Sequence, residues 1–146
     1  MRRPVIATAV ILLAAFLLSG CSTSGVAPDS GQSAPASTAP AGAYQKISAD
    51  EAYRMMTDTT GYLILDVRTQ EEFDQGHIEN AVLLPVTDMA EKAGKQLADK
   101  EQVILVYCRS GRRSEQAAQL LMDMGYTNIY DFGGIIDWPH GTVTGK

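Results

Sequence analysis

The apolar positions of this chain change their pattern twice, and each change marks a boundary. Residues 5–18 form an almost unbroken apolar run, whereas residues 22–43 carry no periodicity at all. From residue 44 onward, short apolar runs alternate with stretches in which apolar residues recur at helical spacing. The runs at 44–47, 62–67, 81–84, 103–107 and 128–131 read as strands. Two of them, 62–67 and 103–107, are apolar enough to be buried on both faces, as parallel strands between helices are. Ser48-Ala49-Asp50-Glu51 reads as a capping box opening a helix that runs to about Met56, and Thr69 with Glu72 as a second box opening a short helix that ends by Gly76. A third helix is expected from Thr87 to about Ala98, weakened by Gly94. A fourth carries Ala117, Leu120, Leu121 and Met124 on one face. Gly133-Gly134 is expected to turn the chain into a short closing segment holding Trp138. Strands alternating with helices predict an α/β fold, a parallel sheet of about five strands with helices on both faces.

The segment before residue 44 is a different kind of chain. Met1-Arg2-Arg3 is a short basic start, the apolar run behind it is short for a membrane span, and Leu18-Ser19-Gly20-Cys21 follows. This layout predicts a signal peptide over residues 1–20. Residues 22–43 are almost wholly Ser, Ala, Pro, Gly and Thr, with Asp29 the one charge, so they cannot bury enough surface to offset ordering and are expected to be a flexible tether. The folded domain is placed at 44–146.

Charge narrows the choice of partner. The formal net charge is −5, and loss of Arg2 and Arg3 with the leader takes it to −7. Such a domain has no electrostatic use for nucleic acid and no attraction to anionic lipid. Its concentrated positive charge lies in one place, Cys108-Arg109-Ser110-Gly111-Arg112-Arg113, between the strand at 103–107 and the fourth helix. Carboxyl ends of parallel strands are where open α/β sheets bind ligands, and a helix N-terminus favours an anion. A cysteine there is expected to ionise readily, and the thiolate is the reactive form. With two cysteines and two histidines in the chain, neither a zinc site nor any other metal site is expected, and no cofactor is called for.

Several residues carry a resemblance beyond these physical readings. Asp66-Val67-Arg68, Glu72, the run from Gly76 through His77, Ile78, Glu79 and Asn80 to Ala81, and Leu84-Pro85 resemble the first signature of rhodanese domains. Cys108 to Ser114 resembles their active-site loop, and Gly133-Gly134 followed by Trp138 is similar to their closing motif. The resemblance covers the chain from about Tyr44 to Trp138 and implies a three-layer α/β/α fold. The implied activity is sulfurtransferase: Cys108 takes the sulfane sulfur of thiosulfate or a similar small anionic donor as a persulfide. It then passes that sulfur to a thiol, to cyanide or to a protein acceptor. The implied donor-binding loop is Arg109, Ser110, Gly111, Arg112 and Arg113, with the three arginines as candidates for holding a sulfonate. Leu18 to Cys21 resembles a bacterial lipobox, which implies an acylated Cys21 and a domain held at the cell envelope outside the cytoplasm. With Cys21 acylated, Cys108 has no disulfide partner.

Two other functions compete. Phosphatases of related fold use a C-x5-R loop, but here the sixth position after Cys108 is Ser114 and Arg113 falls one residue early. A non-catalytic binding or sulfur-carrier module is the third possibility, and the retained Cys108 in its cationic loop weighs against it. Asp66 is read as a partner of Arg68 or of loop backbone rather than as a base, His77 as a turn group, Trp138 as a core anchor, and Met122 and Met124 as packing residues.

Overall fold

The computed structural model describes residues 44–145; the leader, Cys21 and most of the tether expected from the sequence lie outside the described residues. The elements run β1 (Gln45–Lys46), α1 (Ala49–Asp58), β2 (Tyr62–Asp66), α2 (Gln70–Gln75), β3 (Val82–Leu83), α3 (Met89–Gln96), β4 (Val103–Cys108), α4 (Arg112–Asp123) and β5 (Ile129–Gly134). Short 3-10 turns occupy Val86–Asp88 and Ile135–Asp137. The five strands form one parallel sheet in the order β1-β5-β4-β2-β3. The α/β architecture read from the alternating pattern is the one observed.

Local chemistry explains where each helix starts. Thr69 and Glu72 make a full capping box on α2, each side chain bonding the other residue's backbone N–H. On α1 the box is half made: the Ser48 hydroxyl accepts from the Glu51 N–H, but the Glu51 carboxylate turns to Arg54. The third helix begins later than its sequence pattern predicts. Val86–Asp88 winds as a 3-10 turn behind Pro85, and the α-helix proper opens only at Met89. The last strand continues through the expected turn, because Gly133 and Gly134 still pair along β4, with Cys108 opposite Gly134.

Alternation along the central strands sorts the core into two layers. Leu65, Val67, Ile104, Val106 and Cys108 face α3 and α4, packing on Met89, Ala93, Leu97, Ala117 and Leu121. Ile64, Leu105 and Tyr107 face the other way, towards Ala52, Ile78 and Phe132. Leu121 is fully buried, so Leu121→Ala is worth about 2–5 kcal/mol of stability. Chain order explains the site's position. From β2 the sheet grows one way to β3, and the chain then crosses back to β4 on the other side of β2. The reversal therefore falls between β2 and β4, and their carboxyl ends, Asp66 and Cys108, flank the crevice that it opens.

Candidate active site

Cys108 ends β4, and the chain curls at once into α4, whose first residue is Arg112. Gly111 stands at the helix N-cap with φ 98°, a left-handed conformation that costs glycine nothing. That curl turns successive N–H groups inward. The Gly111 N–H points at the Cys108 sulfur at 3.1 Å. The thiol sits below its ordinary pKa. Its burial is the largest single influence and opposes ionisation, yet the backbone N–H groups of Ser114, Ser110 and Gly111, with the Ser114 hydroxyl, outweigh it. The acidity expected of Cys108 from its arginines is thus supplied chiefly by backbone dipoles.

The loop is braced from behind. The Ser114 hydroxyl donates to the Gly111 carbonyl at 2.9 Å and lies 3.3 Å from the Gly133 carbonyl. Gly133 is fixed in turn by its N–H, which donates to Asp131 Oδ1 at 3.0 Å. Asp131 is buried, and its Oδ2 has no partner among the described residues. Gly134 lies so close beneath the loop that a Cβ there would collide with the Arg109 carbonyl oxygen and sit 2.7 Å from Ser110 Cα. No sequence pattern singles out Asp131, and the two glycines read simply as a turn.

The cations are not equivalent. Arg113 makes a paired contact with Glu72, Nη1 to Oε2 at 2.6 Å and Nη2 to Oε1 at 2.7 Å. Those bonds hold the Glu72 carboxyl down at about 2, well below the usual carboxylate range. Arg113 also touches the Cys108 sulfur, so it is both partner of Glu72 and neighbour of the thiolate. Arg68 is buried and spends its guanidinium on Asp66 (Nε to Oδ1 2.9 Å, Nη2 to Oδ2 2.6 Å) and on the Gly76 carbonyl at 2.7 Å. It lies over the Tyr107 ring at 5.6 Å, which makes the Asp66–Arg68 unit a structural buttress between β2 and β4, not an acid–base pair. Arg112 is exposed on the first turn of α4. Arg109 is also exposed, but it lines a cleft of about 300 Å³ beside the loop, together with Arg68, Glu72, Ile135, Ile136 and Thr142. Of the five loop residues that the resemblance implies, the fold therefore brings Ser110, Gly111 and Arg113 to the sulfur and Arg109 to the cleft. It leaves Arg112 facing solvent.

The residues read as structural behave so. His77 is buried, stacks on Phe73 at 3.7 Å, and exchanges both backbone hydrogen bonds with Val143. Trp138 packs partly buried against Phe132, 5.4 Å between ring centres. Met122 and Met124 rest on the core under α4.

Comparison with known proteins agrees with this geometry. A protein from Escherichia coli named Thiosulfate sulfurtransferase PspE is 37% identical over 73 residues, 50% of this chain and 70% of that protein. Thiosulfate sulfurtransferase GlpE of Coxiella burnetii is 36% identical over 96 residues, 65% of this chain and 87% of that one. Among solved structures, a rhodanese with anions from E. coli superposes with a TM-score of 0.54 at 34% identity, covering 57% of this chain and 99% of that one. The matched family is described as Rhodanese-like domain and spans residues 48–139, from the cap of α1 to just past Trp138. With an N–H-cradled cysteine at the β2/β4 switch point and a family match over most of the described residues, this chain belongs to the rhodanese-like domain family.

Proposed function

We propose that the domain is a sulfurtransferase working through a persulfide on Cys108. The observation that carries this reading is the thiol itself, held under a ring of backbone N–H groups that favour its ionised form. Family membership and relatives named thiosulfate sulfurtransferase support the same activity. The Cys108 thiolate attacks the outer sulfur of thiosulfate. A new S–S bond forms, the old one breaks, and its electron pair leaves with sulfite. The charge now sits on the outer persulfide sulfur, within the same field of N–H dipoles, so one cradle serves both half-reactions. A thiophilic acceptor such as cyanide or a thiol then takes that sulfur and returns the thiolate. No general base is required, which accords with the engagement of Asp66 by Arg68.

The phosphatase reading lacks its key residue. The sixth position after Cys108 is Ser114, buried and turned into the loop's own carbonyls, where an arginine would have to reach a phosphate. Steady-state kinetics with thiosulfate and cyanide test the proposal: parallel double-reciprocal lines and loss of turnover in Cys108→Ser are expected. Turnover that persists in Cys108→Ser, or aryl-phosphate hydrolysis by the unmodified domain, would defeat it.

We further infer that Cys21 is the lipidated first residue of the mature chain and that the domain works at the cell envelope, outside the cytoplasm. Support for this comes from the sequence: the basic start, the apolar run, Leu18-Ser19-Gly20-Cys21, and the Ser/Ala/Pro-rich tether behind it.

A further inference from the structure

We propose that the cleft beside the Cys108 loop is shaped for an organic thiosulfonate, a singly charged sulfane donor with an apolar substituent, in preference to inorganic thiosulfate. The inference rests on the sulfurtransferase reading and concerns which donor class that site takes.

Charge is the first argument. Four charged side chains near the cleft cancel in pairs, Arg68 with Asp66 and Arg113 with Glu72. Glu72 stays ionised at neutral pH and itself lines the cleft, so its carboxylate repels a second negative charge. Arg109 is the lining cation that makes no ion pair among the described residues. One uncommitted guanidinium matches one negative charge. Thiosulfate brings two, and a thiosulfonate brings one.

Shape and polarity point the same way. The wall opposite Glu72 is the turn Ile135–Asp137, which places Ile135 and Ile136 on the cleft. That turn is tied to the loop by the Ile136 N–H, which donates to the Arg109 carbonyl, so the apolar wall and Arg109 are held side by side. Ile136 is 64% exposed, the most exposed large apolar residue described. Thiosulfate has no apolar part to cover it. At about 30 Å³ for each water-sized centre, its five heavy atoms fill roughly half of the cleft's 300 Å³. A phenyl or short alkyl group on the sulfonyl sulfur takes up the remainder and lies against Ile136, while the sulfonyl oxygens face Arg109.

The chemistry balances without further reactants. The Cys108 thiolate bonds to the terminal sulfur of R–SO2–S⁻, the bond from that sulfur to the sulfonyl sulfur breaks, and R–SO2⁻ leaves with the electron pair. No proton moves and no external oxidant or reductant takes part.

The test compares benzenethiosulfonate with thiosulfate, reading single-turnover loading of Cys108. Each rate is divided by the donor's uncatalysed rate with cyanide, to remove intrinsic reactivity. A normalised preference of about tenfold or more for benzenethiosulfonate is expected, since each covered methylene contributes roughly fourfold. Ile136→Ala should shrink that preference by at least fourfold, and Arg109→Gln should weaken loading from both donors. Because Ile136 is exposed, the alanine variant leaves the core intact. Thiosulfate level with or ahead of benzenethiosulfonate, or a preference that survives Ile136→Ala, would overturn the inference while sulfur transfer stands. Loading by neither donor would strike down both.

Discussion

Gly134→Ala tests how tightly β5 sets the shape of the catalytic loop. An added Cβ would lie 2.7 Å from Ser110 Cα and 2.9 Å from the Arg109 carbonyl carbon, and would collide with the Arg109 oxygen. Ordinary contact begins near 3.4 Å, so backbone on one side must retreat by about 0.7 Å in a close-packed interior. Both neighbours are backbone, and no side-chain rotation relieves the clash. Overpacking of this kind costs about 1–3 kcal/mol. The larger effect falls on function, because the segment pushed aside carries the Ser110 and Gly111 N–H groups that hold the thiolate. A misplacement approaching 1 Å costs roughly 100-fold in rate, so a 10- to 100-fold loss in sulfite release is expected, with the Cys108 pKa raised. The assays are single-turnover sulfite release, the pH profile of Cys108 alkylation, and urea denaturation. Gly94→Ala is the control: it lies in α3 with nothing within 4 Å, and should stabilise the domain by about 0.5–1 kcal/mol without touching activity. Wild-type turnover and an unshifted alkylation profile in Gly134→Ala would refute this account of the loop.

Three further outcomes are expected. Glu72→Gln removes a carboxylate held at about 2 when folded against an ordinary 4.5, so the stability it contributes is present above about pH 4.5 and is lost as pH falls towards 2. The shift sets a ceiling near 3 kcal/mol, which partial exposure of the pair reduces to about 1–2; denaturation of wild type and variant at pH 7 and pH 3 should show the gap narrowing, and an equal gap at both would count against the ion pair. Ser114→Ala removes the hydroxyl that reaches both Cys108 and the loop carbonyls, so the midpoint of Cys108 alkylation should move to higher pH, and an unchanged or lower midpoint would contradict its role. Cys21→Ala in the full chain should abolish incorporation of labelled fatty acid, and a variant that is still labelled and still sediments with membranes would end the lipobox reading.

The contrast between what the sequence discloses and what it hides follows the range of the interactions. Runs such as Tyr62–Asp66 and Val103–Cys108 declare themselves because a strand between two helical layers must be apolar on both faces. The Thr69–Glu72 box is a local bond pattern, readable over four residues. Glu72 has a second partner, Arg113, 41 residues away, and that pairing depends on β2 and β4 being neighbours in the sheet. It changes the meaning of the loop, since an arginine counted as free is already neutralised. The same holds for Arg112 and Arg109, alike in sequence and separated only by where the first turn of α4 points them. Asp131 and Gly134 escaped notice because their roles are contacts with the back of the loop, visible only once β5 lies beside β4.

The central claim is that Cys108 carries the transferred sulfur, and mass spectrometry of the domain from residue 44 onward addresses it directly. After the thiol is shown to be reduced, incubation with a sulfane donor and proteolysis should give a Cys108 peptide heavier by one sulfur atom, with one sulfite or sulfinate released per molecule. Cyanide should then remove that sulfur as thiocyanate and restore the original mass. A Cys108 peptide that stays unmodified with thiosulfate and with benzenethiosulfonate, or a sulfur that maps elsewhere, would contradict the account.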